Sequence, residues 1–196
     1  QIMKRLLAYL LLVLSFTFIF NAKADDIRDF EIEGISIGES LLKYFDEETI
    51  LKNPRYDHTN TIWNNDKMFQ VRTFEKGPYT EIMFALKKND KKYIIYGISA
   101  LIKMEHNISK CHSDIKSIAS NLEELFPNAI KSKLIKKKLK GDKSRKSKHR
   151  AIYFDFDSGD YVTVECYDWS KKMGYWDNLR IGIITKEFGG WLNNST

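Results

Sequence analysis

The chain has 196 residues, a net charge of +6 from 32 Lys or Arg against 26 Asp or Glu, and only two cysteines. That length suits one domain, or two small lobes sharing a core. Beyond the first 24 residues no apolar run approaches the roughly 20 residues needed to span a bilayer, which excludes an integral helical membrane protein for the remainder.

Met3-Lys4-Arg5 is a short positive start, and residues 6–20 are an uncharged apolar run. Asn21-Ala22-Lys23-Ala24 follows with the small-x-small pattern that a signal peptidase accepts. The expectation is a signal peptide over residues 1–24, cleaved before Asp25, so that the remainder is periplasmic or secreted. A retained anchor is the alternative, disfavoured because the run is short. No cysteine follows it, so lipid modification is not indicated.

Charge is polarised along the rest of the chain. Residues 25–50 hold nine acids against Arg28 and Lys43. Residues 131–150 hold eleven Lys or Arg against the single acid Asp142. The basic run makes Lys136, Lys137, Lys138, Lys140, Lys143, Arg145, Lys146, Lys148 and Arg150 a candidate anion-binding surface. Outside the cytoplasm its partner would be an envelope protein, an acidic glycan or an anionic lipid surface rather than nucleic acid. The alternative is a solvated hairpin facing the acidic N-terminal segment.

Ser36-x-x-Glu39 reads as a capping box, with Ile37, Leu41, Leu42 and Phe45 on the buried face of a first helix. A further turn over residues 47–51 is ended by Asn53-Pro54. The period then changes to two. One or two strands are expected over 61–74, and strands over 79–86 and 93–104 flank the turn Asn89-Asp90-Lys91.

Cys111, Ile115, Ile118, Ala119, Leu122, Leu125 and Phe126 form one face of a helix over 109–126, stopped by Pro127. A lysine-rich edge strand is expected over 134–139, where charge discourages pairing with other chains. Strands over 151–156 and 161–169 form a hairpin around residues 157–160, and a last strand covers 179–188 before Gly189-Gly190. Cys166 continues the Val162, Val164 face of its strand. Both sulfurs therefore point inward, and in an oxidising compartment they are expected to form a Cys111–Cys166 disulfide. A redox-active pair would call for C-x-x-C spacing, which is absent.

Helix and three strands, then helix and three or four strands, give an α+β class, with antiparallel sheet and helices on one face. This resembles two α-β-β-β units over residues 34–106 and 107–192 within one domain from 25 to 196. With Gly34-Ile35-Ser36 leading into the first helix, the order resembles the helix-plus-β-meander modules of two envelope families, the outer-membrane assembly lipoproteins and the β-lactamase-inhibitor proteins. The resemblance implies that modular fold; no functional residue is carried across.

The motifs of catalysis are weak. Asp155-x-Asp157-x-Gly159-Asp160 resembles the start of a calcium loop, but its glycine comes one place early and its twelfth position is Cys166. His106 and His112 flank Cys111, yet a zinc site lacks paired sulfurs at short spacing, and His58 and His149 add no pattern. Ser170 ends a strand without a nearby histidine, and no G-x-S-x-G elbow exists. No catalytic residue, cofactor or metal ligand is assigned. Tyr161, Tyr167 and Trp169 alternate with the Val162, Val164, Cys166 face and form a candidate aromatic recognition surface, unless residues 171–178 cover them or the sheet is buried on both sides. The expected function is a non-catalytic binding or accessory protein of the cell envelope; the alternative is a small secreted hydrolase.

Overall fold

The computed structural model describes residues 26–54, 67–104 and 107–194. The expected signal peptide, His58, His106 and the start of the strand expected at 61 lie outside them. A small hairpin comes first, β1 (Glu31–Ile32) and β2 (Ile35–Ser36), then helix α1 (Glu47–Lys52). A meander follows: β3 (Met68–Lys76), β4 (Tyr79–Lys87) and β5 (Ile95–Lys103). Helix α2 (Ile108–Leu125) leads to two short edge strands, β6 (Ile130–Lys131) and β7 (Ile135–Lys138). The second meander is β8 (Lys148–Asp155), β9 (Tyr161–Asp168) and β10 (Asn178–Ile184), and α3 (Lys186–Asn194) closes the described chain.

The two meanders form one antiparallel sheet in the order β3-β4-β5-β10-β9-β8-β6, with β7 also on β8. They join where β10 lies against β5, Ile181 opposite Ala100. The α+β reading with antiparallel sheet holds.

Strand alternation sorts the side chains into two faces. Ile82, Phe84, Ile98, Ile152, Phe154, Val162, Val164, Cys166, Leu179 and Ile183 are buried on the α2 side. Helix α2 lays Cys111, Ile115, Ala119 and Leu122 on this face, packing on β8, β9 and β10. Asn107 caps its start by accepting from the Lys110 N–H. The Cys111–Cys166 disulfide ties helix to sheet.

Two elements depart from the sequence reading. The first helix is not at 36–45. Glu33 and Gly34 take positive φ and turn β1 into β2, so Ser36 lies in a strand. Gly38 is also positive in φ. Residues 38–41 instead hydrogen-bond to the start of β5 through Gly38 N–H to Ile95 O and Leu41 N–H to Tyr93 O. Helix starts are supplied by Ser40, which caps a single turn at Leu41–Lys43, and by Asp46, which caps α1. The last strand, in turn, ends at Ile184. Thr185 accepts from the Phe188 N–H, and Asp160 accepts from the Lys186 N–H, so residues 186–194 wind into α3.

Helix α3 covers one end of the face opposite α2, so the helices lie on both faces of the sheet and not on one as the element order suggested. Phe188 and Trp191 pack there on Met68, Ala85 and Ile184. Gly97 makes room: a Cβ on it would lie 2.3 Å from the Phe188 ring.

Candidate functional site

At the other end of that same face, the loop after β9 folds back. Trp169 N–H donates to the Asp177 side chain at 2.7 Å, and Tyr175 packs on Trp169 with ring centroids 4.7 Å apart. Between α3 and this loop lies a row of polar and aromatic side chains. The register sets Arg180 opposite Glu165, and His149 opposite Tyr167. Tyr153 and Thr163 are likewise opposite each other.

Glu165 is buried at the centre of the row. His149 Nε2 lies 3.8 Å from its carboxylate, beyond hydrogen-bonding length. Tyr167 and Arg180 also act on this carboxylate, the arginine through its charge. Burial pushes the Glu165 carboxyl up, but His149, Arg180 and Tyr167 together pull it further the other way, and it lies below its ordinary value. The tyrosines respond oppositely: burial and the Glu165 charge raise Tyr153, Tyr161 and Tyr167, Tyr161 to about 12.

The rings form a continuous ladder. His149 and Tyr167 are 4.5 Å apart between centroids, and Tyr167 stacks on Trp169 at 5.4 Å. The Arg180 guanidinium lies over the Tyr167 ring at 4.7 Å, in reach of a cation–π attraction. Tyr153, Tyr167, Trp169 and Arg180 are all half-buried, so each keeps solvent-facing surface. Two side-chain nitrogens, His149 Nε2 and Arg180 Nε, are buried without a hydrogen-bond partner.

Of the three aromatic residues expected to share a surface, Tyr167 and Trp169 are brought together. Tyr161 is drawn away toward α3, where a Cβ on Gly189 would lie 2.8 Å from its ring. Tyr175 partly covers Trp169, as the alternative reading of residues 171–178 anticipated. The charged centre was missed. Glu165 was legible as a partner of Tyr167 on the strand pattern, but Arg180 and His149 reach it only through pairing between strands.

The basic run is an ordered hairpin, β7 and β8 joined by residues 139–147. Its single acid organises it. Asp142 accepts from the backbone N–H groups of Ser144, Lys146 and Ser147 and from both serine hydroxyls. Although burial opposes ionisation, these bonds hold its carboxyl well below the usual carboxylate range. Ser170 belongs to this network, its N–H donating to the Ser147 hydroxyl at 2.9 Å.

The acidic N-terminal segment does not neutralise the hairpin. Glu39, Glu47 and Glu48 pair with Lys43, Lys91 and Lys52 instead. Among the described residues, Lys148 has Asp168 at 3.8 Å. Lys136, Lys137, Lys138, Lys140, Lys143, Arg145, Lys146 and Arg150 make no ion pair there.

Fold and site together define an α+β protein with an eight-stranded antiparallel sheet, a disulfide-tethered helix on one face and a charged aromatic row on the other. No family model, curated protein or solved structure matches the chain. Among the described residues no helix is long and apolar enough to cross a membrane.

Proposed function

We propose that this is an exported, non-catalytic binding protein of the cell envelope, and that the row Trp169–Tyr167–His149 with Arg180 is its recognition surface. The observation that supports this reading is the composition and setting of the row. Tyr, Trp and Arg are the side chains enriched where protein partners gain most of their binding energy. Here they stand half-buried on a rigid sheet, with unpartnered donors between them. Sheet pairing pre-sets their positions, so a partner meets little ordering cost. The partner of choice is an envelope protein.

The charge state of Glu165 argues against one hydrolytic role, that of proton donor. A proton-donating catalytic carboxyl is usually tuned upward, whereas Glu165 is held ionised. It then serves as the fixed counter-charge that orients Arg180.

The test is affinity capture from solubilised envelope, with crosslinking, using the parent protein, Tyr167→Ala with Trp169→Ala, and a variant with Lys136, Lys137, Lys138 and Lys140 changed to Gln. Loss of one specific protein partner in the aromatic variant alone is the expected result. Equal capture by parent and aromatic variant rejects the surface. Retention of glycan or lipid in place of protein rejects the partner class.

A further inference from the structure

The α2 side of the β7–β8 edge carries a second, independent feature. Register places Lys136 directly opposite Arg150, and Lys138 opposite Lys148. Like charges directly opposite each other destabilise a strand pair, and this edge holds two such pairs in succession. Arg150 is in turn opposite Cys166 on β9. Cys166 is bonded to Cys111, whose neighbour on α2 is His112. The disulfide thus brings the first turns of α2 alongside the cations of β7 and β8.

His112 is half-buried there. The charged groups acting on it are Arg150 and Lys148 from β8, Lys136 from β7, and Asp168 from the end of β9. Burial, then Arg150, lowers its proton affinity; Asp168 opposes this, and Lys148 and Lys136 add to it. Asp168 is the one carboxylate in this set, and it stands 3.8 Å from Lys148. Lys136 and Arg150 make no ion pair with described residues. The patch therefore holds an excess of positive charge on a framework fixed by sheet pairing and a covalent bridge.

We infer that Arg150, Lys136, Lys148 and His112 form a binding site for a tetrahedral oxyanion, the phosphate or sulfate group of a ligand. Arg150 supplies a planar fork that can hold two oxygens at once, and the lysines supply point charges. His112 supplies a third kind of contact, an N–H donor that strengthens when the ring is protonated. The anion relieves the repulsion between Lys136 and Arg150, and its charge favours the imidazolium. The site lies on the opposite side of the sheet from the aromatic row and does not depend on it.

His112 is its own reporter. Histidine side-chain NMR of the purified protein, with the His112 signal assigned through His112→Gln, is followed against pH at constant ionic strength. Three conditions are compared: chloride alone, added inorganic sulfate, and vesicles of phosphatidylglycerol against vesicles of phosphatidylcholine. Sulfate keeps its double charge across the titration, so changes belong to the protein. Binding raises the His112 midpoint by about one pH unit, equivalent to a tenfold tighter hold on the anion by the protonated form. The His149 signal, on the opposite face of the sheet, does not respond to sulfate or vesicles. Lys136→Gln with Arg150→Gln abolishes the shift while the disulfide and circular dichroism are unchanged. A shift with sulfate assigns a free oxyanion. A shift with phosphatidylglycerol vesicles, but not with sulfate or phosphatidylcholine, assigns a lipid headgroup. No movement of His112 under any condition, or a shift that survives the double substitution, overturns the site.

Discussion

Removing the bridge between α2 and the sheet is the most demanding test of the architecture. Cys111→Ala with Cys166→Ala takes away a cross-link between residues 55 positions apart. In the chain-entropy treatment a closed loop of that size restricts the unfolded chain by about 4 kcal/mol at 25 °C. Alanine is preferred to serine because both positions are fully buried and a hydroxyl would be left unsatisfied there. With a urea dependence of about 2 kcal/mol per molar, the unfolding midpoint falls by about 2 M. The slope itself rises, because the uncrosslinked chain exposes more surface when unfolded. A loss of about 4 kcal/mol is a large part of the 5–15 kcal/mol typical of a domain. Equilibrium urea unfolding, followed by near-ultraviolet dichroism, reads both quantities. A midpoint change below about 0.5 M with an unchanged slope would refute the reasoning, since neither chain restriction nor tethering of α2 would then matter to the fold.

Three further outcomes follow from the sites. Glu165→Gln leaves Arg180 and His149 without their central counter-charge and costs about 2 kcal/mol of stability, measured by thermal or urea unfolding. Because the folded carboxyl lies below its ordinary value, the Glu165 contribution is fully present above the unfolded value and is lost as pH falls through the folded one; the variant should show a flatter acid limb. Asp142→Asn weakens the bonds to Ser144, Lys146 and Ser147, so their amides should exchange hydrogen faster while those of α2 are unchanged; by the same sign argument, the parent loop keeps its order on acidification until well below the usual carboxylate range. Gly97→Ala forces a methyl group against the Phe188 ring, an overpacking that costs about 1–3 kcal/mol and should loosen α3 first in hydrogen exchange.

Local pattern revealed most of the second half of the fold. The 3.6-residue series from Cys111 to Phe126 and the alternation through Val162, Val164 and Cys166 are strong periodic signals, and together they located the disulfide. The first helix was misplaced for a physical reason. Ser36 and Glu39 match a capping box in letters, but Glu33, Gly34 and Gly38 adopt positive φ and place Ser36 in a hairpin strand. The helix at 186–194 was hidden by Gly189 and Gly190, which read as a terminator; its start is fixed by Asp160, distant in sequence. The site was legible in part. Tyr167, Trp169 and Glu165 follow from alternation within one strand, whereas Arg180 and His149 arrive through the registers of β10 and β8. Register between strands is set by turns and tertiary packing, which a single-chain pattern does not encode.

Strand β8 links the two surfaces. Its consecutive residues His149 and Arg150 point to opposite faces, one into the aromatic row and one into the cationic patch. A slip of one residue in β8 would exchange them, placing an arginine against Glu165 and an imidazole beside Cys166. Two devices oppose such a slip. Asp142 fixes the length of the connection between β7 and β8, and the Cys111–Cys166 bridge fixes β9, on which β8 pairs. Neither Asp142 nor the disulfide belongs to a binding surface, yet both determine which side chains each surface receives. The acid within the basic run is thus best understood as a structural anchor that lets the surrounding cations stay unpaired. The polarised charge along the sequence is not resolved by pairing the two segments: Glu39, Glu47 and Glu48 pair with Lys43, Lys91 and Lys52, and the hairpin keeps its positive excess.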